Sequence, residues 1–310
     1  MRVLFWGTPD FATPPLRALI GEGFDVAGVV TQPDRPVGRS RSTLEAPPVK
    51  RIALDESIPV LQPERPRGDD FVAQLRELAP DISVVVAYGH ILGSDVIALP
   101  QFGTINIHAS LLPLLRGAAP IQAAIRDGHA ETGISIMRMV KALDAGPVIL
   151  QVRTPIPEDE TFGELQLRLA EMGALALIEA LALIGMGTAV ESPQDDARAT
   201  YAPKIDRAMT VVDWASDATA VARTIRAFDP RPGAVTRSPG GDVKLFGARA
   251  VASETNHAPG EVLRIGDDGM AVGCGRDSVL IGAVHPAGKR RVTPKEWERG
   301  RGIAVGERLF

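Results

Sequence analysis

Short apolar runs alternate with amphipathic stretches through the first half of the chain. The runs "RVLFWG", "DVAGVV", "IPVLQ", "ISVVVAY" and "GTINIH" are typical of strands, and helical spacing recurs near residues 14–22, 48–56 and 69–78. Strands separated by helices favour βαβ units, and therefore a Rossmann-like, mainly parallel sheet in an α/β fold. The run "ISVVVAY" is apolar on both faces, as expected of a central parallel strand.

The pattern changes in the second half of the chain. "TGISIMRM" and "GPVILQVRTPI" predict two more strands, an antiparallel extension of the sheet, and a long helix follows near residues 161–185. The polar stretch "ESPQDDARATYAPK" predicts an interdomain linker. One helix candidate near residues 217–227 and short β-runs between Gly and Pro turns then predict a small, OB-like β-barrel. The predicted division is a first domain over residues 1–188, a linker over 189–206 and a barrel domain over 207–310.

Composition narrows the class of protein. The 310 residues are 45% hydrophobic and 23% charged, as in a globular protein with room for two cores. The single cysteine, Cys274, excludes an internal disulfide framework and fits a reducing compartment. The start "MRVLFWGTPDF" has no signal-peptide pattern, and the most apolar later stretch, residues 173–187, is too short to span a bilayer. We therefore expect a cytoplasmic protein with no membrane role.

Charge is distributed unevenly along the chain. The net charge is −4, yet residues 204–310 carry 17 Lys and Arg against 13 Asp and Glu, whereas residues 1–203 carry 17 against 25. A basic second part could meet a polyanion such as a nucleic acid. An ordinary solvated surface explains the same excess, so charge alone leaves both interpretations open.

Several common cofactor and hydrolase motifs are missing from the sequence. The first turn, "WGTPDF", follows a strand without the G-x-G-x-x-G glycines of a dinucleotide site. The sequence also has no phosphate-binding P-loop, no zinc-ligand spacing and no G-x-S-x-G elbow. Nicotinamide chemistry, ATP hydrolysis, serine hydrolysis and a zinc site are therefore not supported.

Two polar residues interrupt the apolar run "TINIH". Ile105 and Ile107 share one face of the predicted strand, so Asn106 and His108 share the other, at the carboxyl end where open α/β sheets bind ligands. Asp144 lies in a loop after the next strand. An amide for an oxyanion, an imidazole base and a carboxylate to orient the base would suit acyl transfer to an amine. A satisfied structural pair of polar residues is the alternative interpretation of Asn106 and His108.

Longer motifs give a family resemblance over essentially the whole chain. In order stand "GTPDFA", "TQPDRPVGR", "VVVAYGHIL", "NIHASLLPLLRGAAPIQ", "AETGISIM", "LDAG", "YAPKID", "RAFDPRPGA", "APGEVL" and "PAGKR". In these motifs the chain resembles the methionyl-tRNA formyltransferases of the folate-dependent formyltransferase superfamily. The "N-x-H" and "SLLP" motifs are specific for the superfamily, and "TQPDRP-x-GR" with the C-terminal motifs narrows the resemblance to the enzymes that act on tRNA.

The resemblance implies a reaction and a set of residues. The formyl group of 10-formyltetrahydrofolate would pass to the α-amine of methionyl initiator tRNA, by direct amine attack through a tetrahedral intermediate, to give N-formylmethionyl-tRNA for translation initiation. No metal is implied. Asn106, His108 and Asp144 would be the catalytic residues. The residues implied in binding the folate donor are Ile91, Leu92, Ser110, Leu111, Leu112, Pro113 and Val140.

The same resemblance implies how tRNA is bound. The long segment "RPVGRSRSTLEAPP" would reach the acceptor stem, with Arg39 and Arg41 as its contacts. The basic barrel would follow the phosphate backbone, and the protein would act as a monomer.

The sequence departs from the family at several positions. In "MVKALDAGPV" the family commonly has Asp, Gly, Thr and Asp at Val140, Ala142, Ala145 and Pro147, and it usually has Asn and Trp where "FDPRP" has Asp229 and Arg231. The first set bears on the folate loop, and the second bears on tRNA affinity.

Two other functions remain open. An enzyme of the same superfamily that formylates an amino sugar or glycinamide ribonucleotide would share Asn106, His108 and Asp144, although the Arg39 segment and the basic barrel count against it. A catalytically silent folate-binding or RNA-binding protein is the second alternative, although mere binding needs no base with an orienting carboxylate. Incubation with the formyl donor and charged initiator tRNA separates the three.

Overall fold

A largely parallel sheet forms the centre of the first of two units in this chain. The computed structural model describes residues 1–37, 43–253 and 256–310. The first unit comprises Met1–Gly117, Gly133–Thr154 and Gln166–Tyr201, and the second comprises Ala118–Thr132, Pro155–Leu165 and Ala202–Phe310.

The strands and helices up to residue 185 follow the alternating pattern of the sequence. The strands are β1 (Arg2–Gly7), β2 (Asp25–Val30), β3 (Arg35–Val37), β4 (Thr43–Glu45), β5 (Val60–Leu61), β6 (Ile82–Val86), β7 (Thr104–His108), β8 (Arg116–Gly117), β9 (Glu131–Arg138) and β10 (Val148–Pro155). The helices are α1 (Thr13–Gly21), α2 (Pro48–Asp55), α3 (Asp69–Glu77), α4 (Ser94–Ile97), α5 (Pro120–Arg126) and α6 (Phe162–Gly185).

Among the described residues, seven of these strands form one sheet in the order β10-β9-β7-β6-β1-β2-β5. The pairs from β7 through β5 are parallel, and β9 joins β7 in the antiparallel direction. The predicted Rossmann-like sheet with an antiparallel extension is therefore confirmed. All five residues of β6 are buried between β1 and β7, because the run "ISVVV" has no polar face to turn towards water.

The long helix α6 lies close to the sheet at Gly173. A Cβ atom at this position would lie 3.1 Å from the Cγ2 atom of Ile107 on β7. Ile107 and Ile134 of β9, which also faces Gly173, are both buried. Because Ile107 fills this side of β7, the opposite side of the strand end is left for Asn106 and His108.

The second unit is built on an antiparallel sheet. The elements after residue 200 are β11 (Tyr201–Ala202), α7 (Ala218–Ala227), β12 (Ala234–Ser238), β13 (Gly241–Val251), β14 (Val262–Gly266), β15 (Gly269–Gly273), β16 (Ser278–Pro286) and α8 (Pro294–Arg299). Within the described part of the chain, five strands pair in the order β12-β13-β16-β15-β14. Asp217 caps the N-terminus of α7, because its carboxylate accepts a hydrogen bond from Ala220 N at 2.8 Å. The buried face of α7 packs on the sheet.

The C-terminal residues close this sheet into a barrel-like shape. Arg308 bridges to Glu261 beside β14, and Leu309 N donates to Gly260 O at 2.8 Å. Phe310 and Arg237 of β12 exchange two backbone hydrogen bonds, at 2.8 and 2.9 Å. The tail therefore joins the two outer strands of the sheet, and the predicted small C-terminal barrel is confirmed.

Asp229, one of the departures from the family pattern, lies buried in the second unit. Its Oδ2 atom accepts a hydrogen bond from Gly247 N at 2.8 Å, and Oδ1 lies 3.9 Å from Arg291. Burial raises the pKa of Asp229 above its usual range, against the smaller lowering effects of the Gly247 hydrogen bond and the Arg291 charge. The guanidinium of Arg291 also lies 4.0 Å from the centre of the Phe246 ring. Asp229 is thus a hydrogen-bond acceptor within the barrel core. The side-chain oxygen of the asparagine that is usual in the family could fill the same role.

The thiol of Cys274 should be unreactive in the folded protein. Burial is the main cause that raises its pKa to about 12, which leaves a thiolate fraction of about 10⁻⁴ at pH 8. Iodoacetamide at pH 8 should therefore modify almost none of the native protein and nearly all of the urea-unfolded protein, as mass spectrometry would measure. Rapid modification of the native protein would show that this part of the barrel core opens to solvent.

Candidate active site

Asn106 and His108 lie on the same face of β7, near the middle of the sheet. Asn106 stands opposite Val85 of β6 and Met137 of β9, and His108 stands opposite Ser135 of β9. Because β7 is paired on both sides, its backbone is held firmly. The two side chains therefore leave the sheet at fixed positions near its carboxyl edge.

The amide of Asn106 is available to a ligand. The residue is only partly buried, and among the described residues its side chain has no hydrogen-bonding partner. Most polar side chains inside proteins are paired, so an unpaired amide at a strand end is a suitable donor for a bound molecule.

The ring of His108 is buried and has a different partner at each nitrogen. Nε2 lies 2.9 Å from Leu115 O, and since a carbonyl oxygen only accepts, Nε2 carries the hydrogen atom. Nδ1 lies 3.7 Å from Asp144 Oδ2, which is close enough for an ion pair and too long for a direct hydrogen bond. Nδ1 is therefore the ring nitrogen left to exchange a proton with a substrate.

Asp144 enters the site from the loop between β9 and β10. Its φ of 47° lies in the left-handed region, which Asp tolerates better than most residues because its side chain bonds locally. Its Oδ2 atom accepts a hydrogen bond from Gly117 N of β8 at 2.8 Å. The backbone of β8 thus holds the carboxylate beside His108.

The turn after β7 is tied to β9 and β10 through a serine and a glutamine. The Ser135 hydroxyl donates to Ser110 O at 2.7 Å and accepts from Leu112 N at 3.1 Å. The Gln151 amide donates to Leu112 O at 2.8 Å and to Ser135 Oγ at 2.9 Å. The Ser110 hydroxyl donates to Leu114 O at 2.6 Å. This network fixes the segment that the resemblance implies in folate binding.

The residues implied in folate binding differ in exposure. Those that are buried are Leu92, Ser110, Leu111 and Leu112, while Pro113 is half-buried. Ile91 is 92% exposed and Val140 is 41% exposed.

Two of the exposed apolar residues stand on adjacent loops. Leu92 and Met139 pack in the same apolar cluster, which brings their chain neighbours Ile91 and Val140 close together. Leu143, in the same loop as Val140, is also largely exposed. Exposed apolar side chains on adjacent loops are suited to a flat apolar ring.

Arg39 and Arg41 lie outside the described residues. The chain before them is held at Asp34, which accepts hydrogen bonds from Lys50 Nζ and Gln62 Nε2, both at 2.8 Å. The bonds from Gln62 and Lys50 lower the pKa of Asp34 below its usual range.

Two residues at this site were missed by the sequence-based prediction. Arg116 is buried, and its guanidinium donates to Gln194 Oε1 and Asp196 Oδ1. Gln194 donates in turn to backbone oxygens of the Asp144 loop. A charged residue within the apolar stretch "LLPLLRGAAP" was a signal for the arginine, because a buried guanidinium needs partners. Nothing local in the sequence pointed to the glutamine.

Within residues 1–37, 43–253 and 256–310, no cluster of three or more His, Cys, Asp or Glu side chains could hold a metal ion. No helix of the same ranges has the length and hydropathy needed to cross a membrane.

Comparison with known proteins places this chain in a family. Residues 1–181 match the formyl transferase family, and residues 204–302 match its C-terminal domain. The chain is 46% identical to the methionyl-tRNA formyltransferase of Aromatoleum aromaticum over 309 residues, which cover 100% of this chain and 97% of that protein. It is 43% identical to the same enzyme of Nitrosomonas europaea, over 99% of this chain and 95% of the relative. The chain belongs to the methionyl-tRNA formyltransferase family. Its members are enzymes that transfer a formyl group, and the sequence resemblance is thereby confirmed.

A more distant solved structure shares the fold. HypX from Aquifex aeolicus, solved in complex with tetrahydrofolic acid, superposes with a TM-score of 0.70 at 20% identity over 99% of this chain. The chain spans about half the length of HypX, 48% of it. At this identity the likeness concerns the fold, which the methionyl-tRNA formyltransferase family shares with a larger protein.

Proposed function

We propose that this chain transfers the formyl group of 10-formyltetrahydrofolate to the α-amine of methionyl initiator tRNA, producing N-formylmethionyl-tRNA for translation initiation. The observation that carries the proposal is the meeting of His108 Nδ1 and Asp144 Oδ2, 3.7 Å apart, beside the unpaired amide of Asn106. An imidazole, a carboxylate and a free amide donor are what attack by an amine on a formyl group requires.

Asn106 stabilises negative charge on the formyl oxygen. As the amine adds to the formyl carbon, that oxygen gains charge in a tetrahedral intermediate, and a fixed amide N–H lowers the energy of this state. The Asn106 amide suits the task because it has no protein partner to give up within the described chain.

His108 accepts the proton that the attacking amine must lose. Nε2 is committed to Leu115 O, so the proton passes to Nδ1 and produces an imidazolium with both nitrogens donating. Asp144, at ion-pair distance from Nδ1, stabilises that cation. The same carboxylate then helps to return a proton to N10 of the leaving folate, directly or through water.

The formyl donor is bound between the turn after β7 and the adjacent loops. Ser110, Leu111, Leu112 and Pro113 form the turn, and Ile91, Leu92 and Val140 lie on the loops. The exposure of Ile91 and Val140 supports this assignment, since an apolar ring laid on them would cover surface that now faces water. Val140 takes the place of a polar family residue, so the contact at this position is apolar in this chain.

The tRNA is bound by the segment that carries Arg39 and Arg41 and by the barrel. The excess of basic residues after residue 203 supports contacts with the phosphate backbone. We assign catalysis to residues 1–188, a linker to residues 189–206 and tRNA binding to residues 207–310, in a monomer that acts in the cytoplasm.

Arg39→Ala should weaken tRNA use and leave folate binding nearly unchanged. If Arg39 contacts one phosphate, the slope of log affinity for tRNA against log salt should become about 1 unit shallower. Filter binding of methionyl initiator tRNA at several salt concentrations measures the slope, and donor binding is titrated separately. Arg76→Ala on α3, an exposed arginine of a different element, is the matched control. Equal losses of tRNA and folate affinity would contradict a role confined to tRNA.

The function itself is tested with the donor and three kinds of acceptor. The purified protein is incubated with 10-formyltetrahydrofolate and methionyl initiator tRNA, with an amino sugar nucleotide, or with glycinamide ribonucleotide. Formylation of the tRNA alone supports the proposal. Transfer only to the small amines would assign a different substrate class, and binding without transfer would identify a silent module.

A further inference from the structure

The chain after α6 contacts the two segments that place Asp144. One is the loop between β9 and β10, which carries Asp144, and the other is β8, whose Gly117 binds it. Glu191 accepts a hydrogen bond from Arg138 at 2.7 Å, and Ser192 exchanges two backbone hydrogen bonds with Val148, each 2.8 Å long. Further on, Thr200 O accepts from Arg116 N at 2.9 Å. We call residues 191–201 the strap. All of it belongs to the first unit, together with the loops that it contacts.

Gln194 is the residue of the strap that contacts the loop between β9 and β10. We call this loop, residues 139–147, the catalytic loop because it carries Asp144. Its Nε2 atom donates to Asp144 O at 2.8 Å and to Gly146 O at 2.7 Å. Its Oε1 atom accepts from Arg116 Nε at 3.1 Å and from Arg116 Nη2 at 2.8 Å. These four partners determine which end of the Gln194 side-chain amide is oxygen and which is nitrogen, because carbonyl oxygens only accept and a guanidinium only donates. Both amide hydrogens and both lone pairs are thus engaged.

The catalytic loop has few other bonds to fix it at this point. Its own turn is closed weakly, by Ala145 N and Ala142 O at 3.5 Å. At its far end Arg138 N donates to Pro147 O at 2.9 Å. Between these points Asp144 has a positive φ, a conformation that needs support from its surroundings. Gln194 supplies that support on both sides of Ala145.

The bonds form a closed ring around the carboxylate. Asp144 Oδ2 accepts from Gly117 N, and the neighbouring Arg116 side chain binds Gln194, which returns to Asp144 O. The ring contains a buried guanidinium, whose second partner is Asp196 at 2.7 Å. Moving the strap away would leave both Arg116 and the loop carbonyls without partners, which is costly inside a protein.

We propose that Gln194 is a positioning residue for formyl transfer: it holds the backbone of Asp144 so that the carboxylate stays beside His108 Nδ1. The inference rests on the proposed function of Asp144. Gln194 is not one of the residues that we assign to substrate binding, and it acts on the reaction through the placement of one oxygen atom. Displacement of a catalytic group by about 1 Å can reduce a rate by about 10²-fold.

Gln194→Glu tests this with the smallest change of shape. The carboxylate can still accept from Arg116, but it has no hydrogen to donate to Asp144 O or Gly146 O. We expect kcat for formylation of methionyl initiator tRNA to fall by about 10²-fold, with little change in KM for tRNA or folate. The melting temperature should fall modestly, because Asp144 O and Gly146 O lose their donor, so kcat is compared at a temperature where both proteins are fully folded. Gln74→Glu on the exposed side of α3 introduces the same charge elsewhere and should match the wild type.

A double-mutant cycle with Asp144→Ala separates positioning from general damage. If Gln194 acts only through Asp144, Gln194→Glu should cause no further loss of kcat in the Asp144→Ala background. Equal fold losses in both backgrounds would overturn the proposal. So would a wild-type kcat in Gln194→Glu, or a rise in both KM values with kcat unchanged.

A readout without catalysis keeps the inference distinct from the proposed function. The amide of Gly117 donates to Asp144 Oδ2, so its hydrogen exchange reports whether the carboxylate is in place. In Gln194→Glu, exchange at Gly117 should rise to the rate seen in Asp144→Ala. Unchanged exchange would overturn the role of Gln194 even in an active enzyme. If the wild-type protein transfers no formyl group and Gln194→Glu still speeds exchange at Gly117, the role of Gln194 is supported and the proposed function is refuted.

Discussion

His108→Ala should lower the single-turnover rate of formyl transfer by about 10²–10⁴-fold, because it removes the base that takes the amine proton. Donor binding should survive, since the ring faces Leu115 O and Asp144 Oδ2 and not the exposed apolar side chains of the donor loops. Rapid quenching of enzyme preloaded with donor and mixed with charged tRNA measures the rate.

The alanine variant also removes a structural contact. His108 is buried, and its loss leaves Leu115 O without a donor, at a cost of about 1–3 kcal/mol in unfolding free energy. His108→Gln is the matched control, because its amide can donate to Leu115 O while it offers no base. The His108→Gln variant should recover the unfolding free energy that His108→Ala loses, but not the rate of formyl transfer. Recovery of the rate together with stability would show that the imidazole serves only the fold.

Asn106→Ala should lower the same rate by about 10²–10³-fold through loss of the oxyanion donor. Its melting temperature should equal that of the wild type, since the amide has no protein partner among the described residues. Asn106→Asp keeps the shape, cannot donate, and should be at least as slow. A folded Asn106→Ala protein with a near wild-type rate would remove this residue from the mechanism.

The strand that carries these two residues could be predicted because the relevant information is local. Alternation in "TINIH" placed Asn106 and His108 on one face, and the run "ISVVV", apolar on both faces except for Ser83, identified a central strand. Helices with clear periodicity were predicted to within one or two residues, as α6 illustrates with Phe162–Gly185 against residues 161–185.

The features that the sequence analysis did not predict are short elements and contacts between residues far apart in the chain. The short pair β3 and β4 has too few residues to show a period of two. The closure of the barrel by Phe310 on Thr236 and Arg237 joins positions 74 and 73 residues apart, and the tail that carries Phe310 has no strand periodicity. Gln194 stands in a polar stretch whose composition indicates only a linker, and its partner Asp144 is 50 residues away.

The placement of Asp144 beside His108 was available from the family resemblance and not from the pattern. Asp is ordinary in turns, and nothing in "KALDAGPV" shows that one carboxylate oxygen meets Gly117 N of β8. The assignment of Nδ1 as the reactive nitrogen likewise required the position of Leu115 O, which a turn with a positive φ at Leu115 provides.

The central claim is that Asn106 and His108 serve chemistry and not folding. It is tested most directly by measuring melting temperature and single-turnover formylation of methionyl initiator tRNA on the same samples of wild type, Asn106→Ala and His108→Gln. The account predicts melting temperatures close to that of the wild type and rates at least about 10²-fold lower for both variants. Rates that follow only the folded fraction, with lowered melting temperatures and near wild-type turnover of the folded protein, would contradict it.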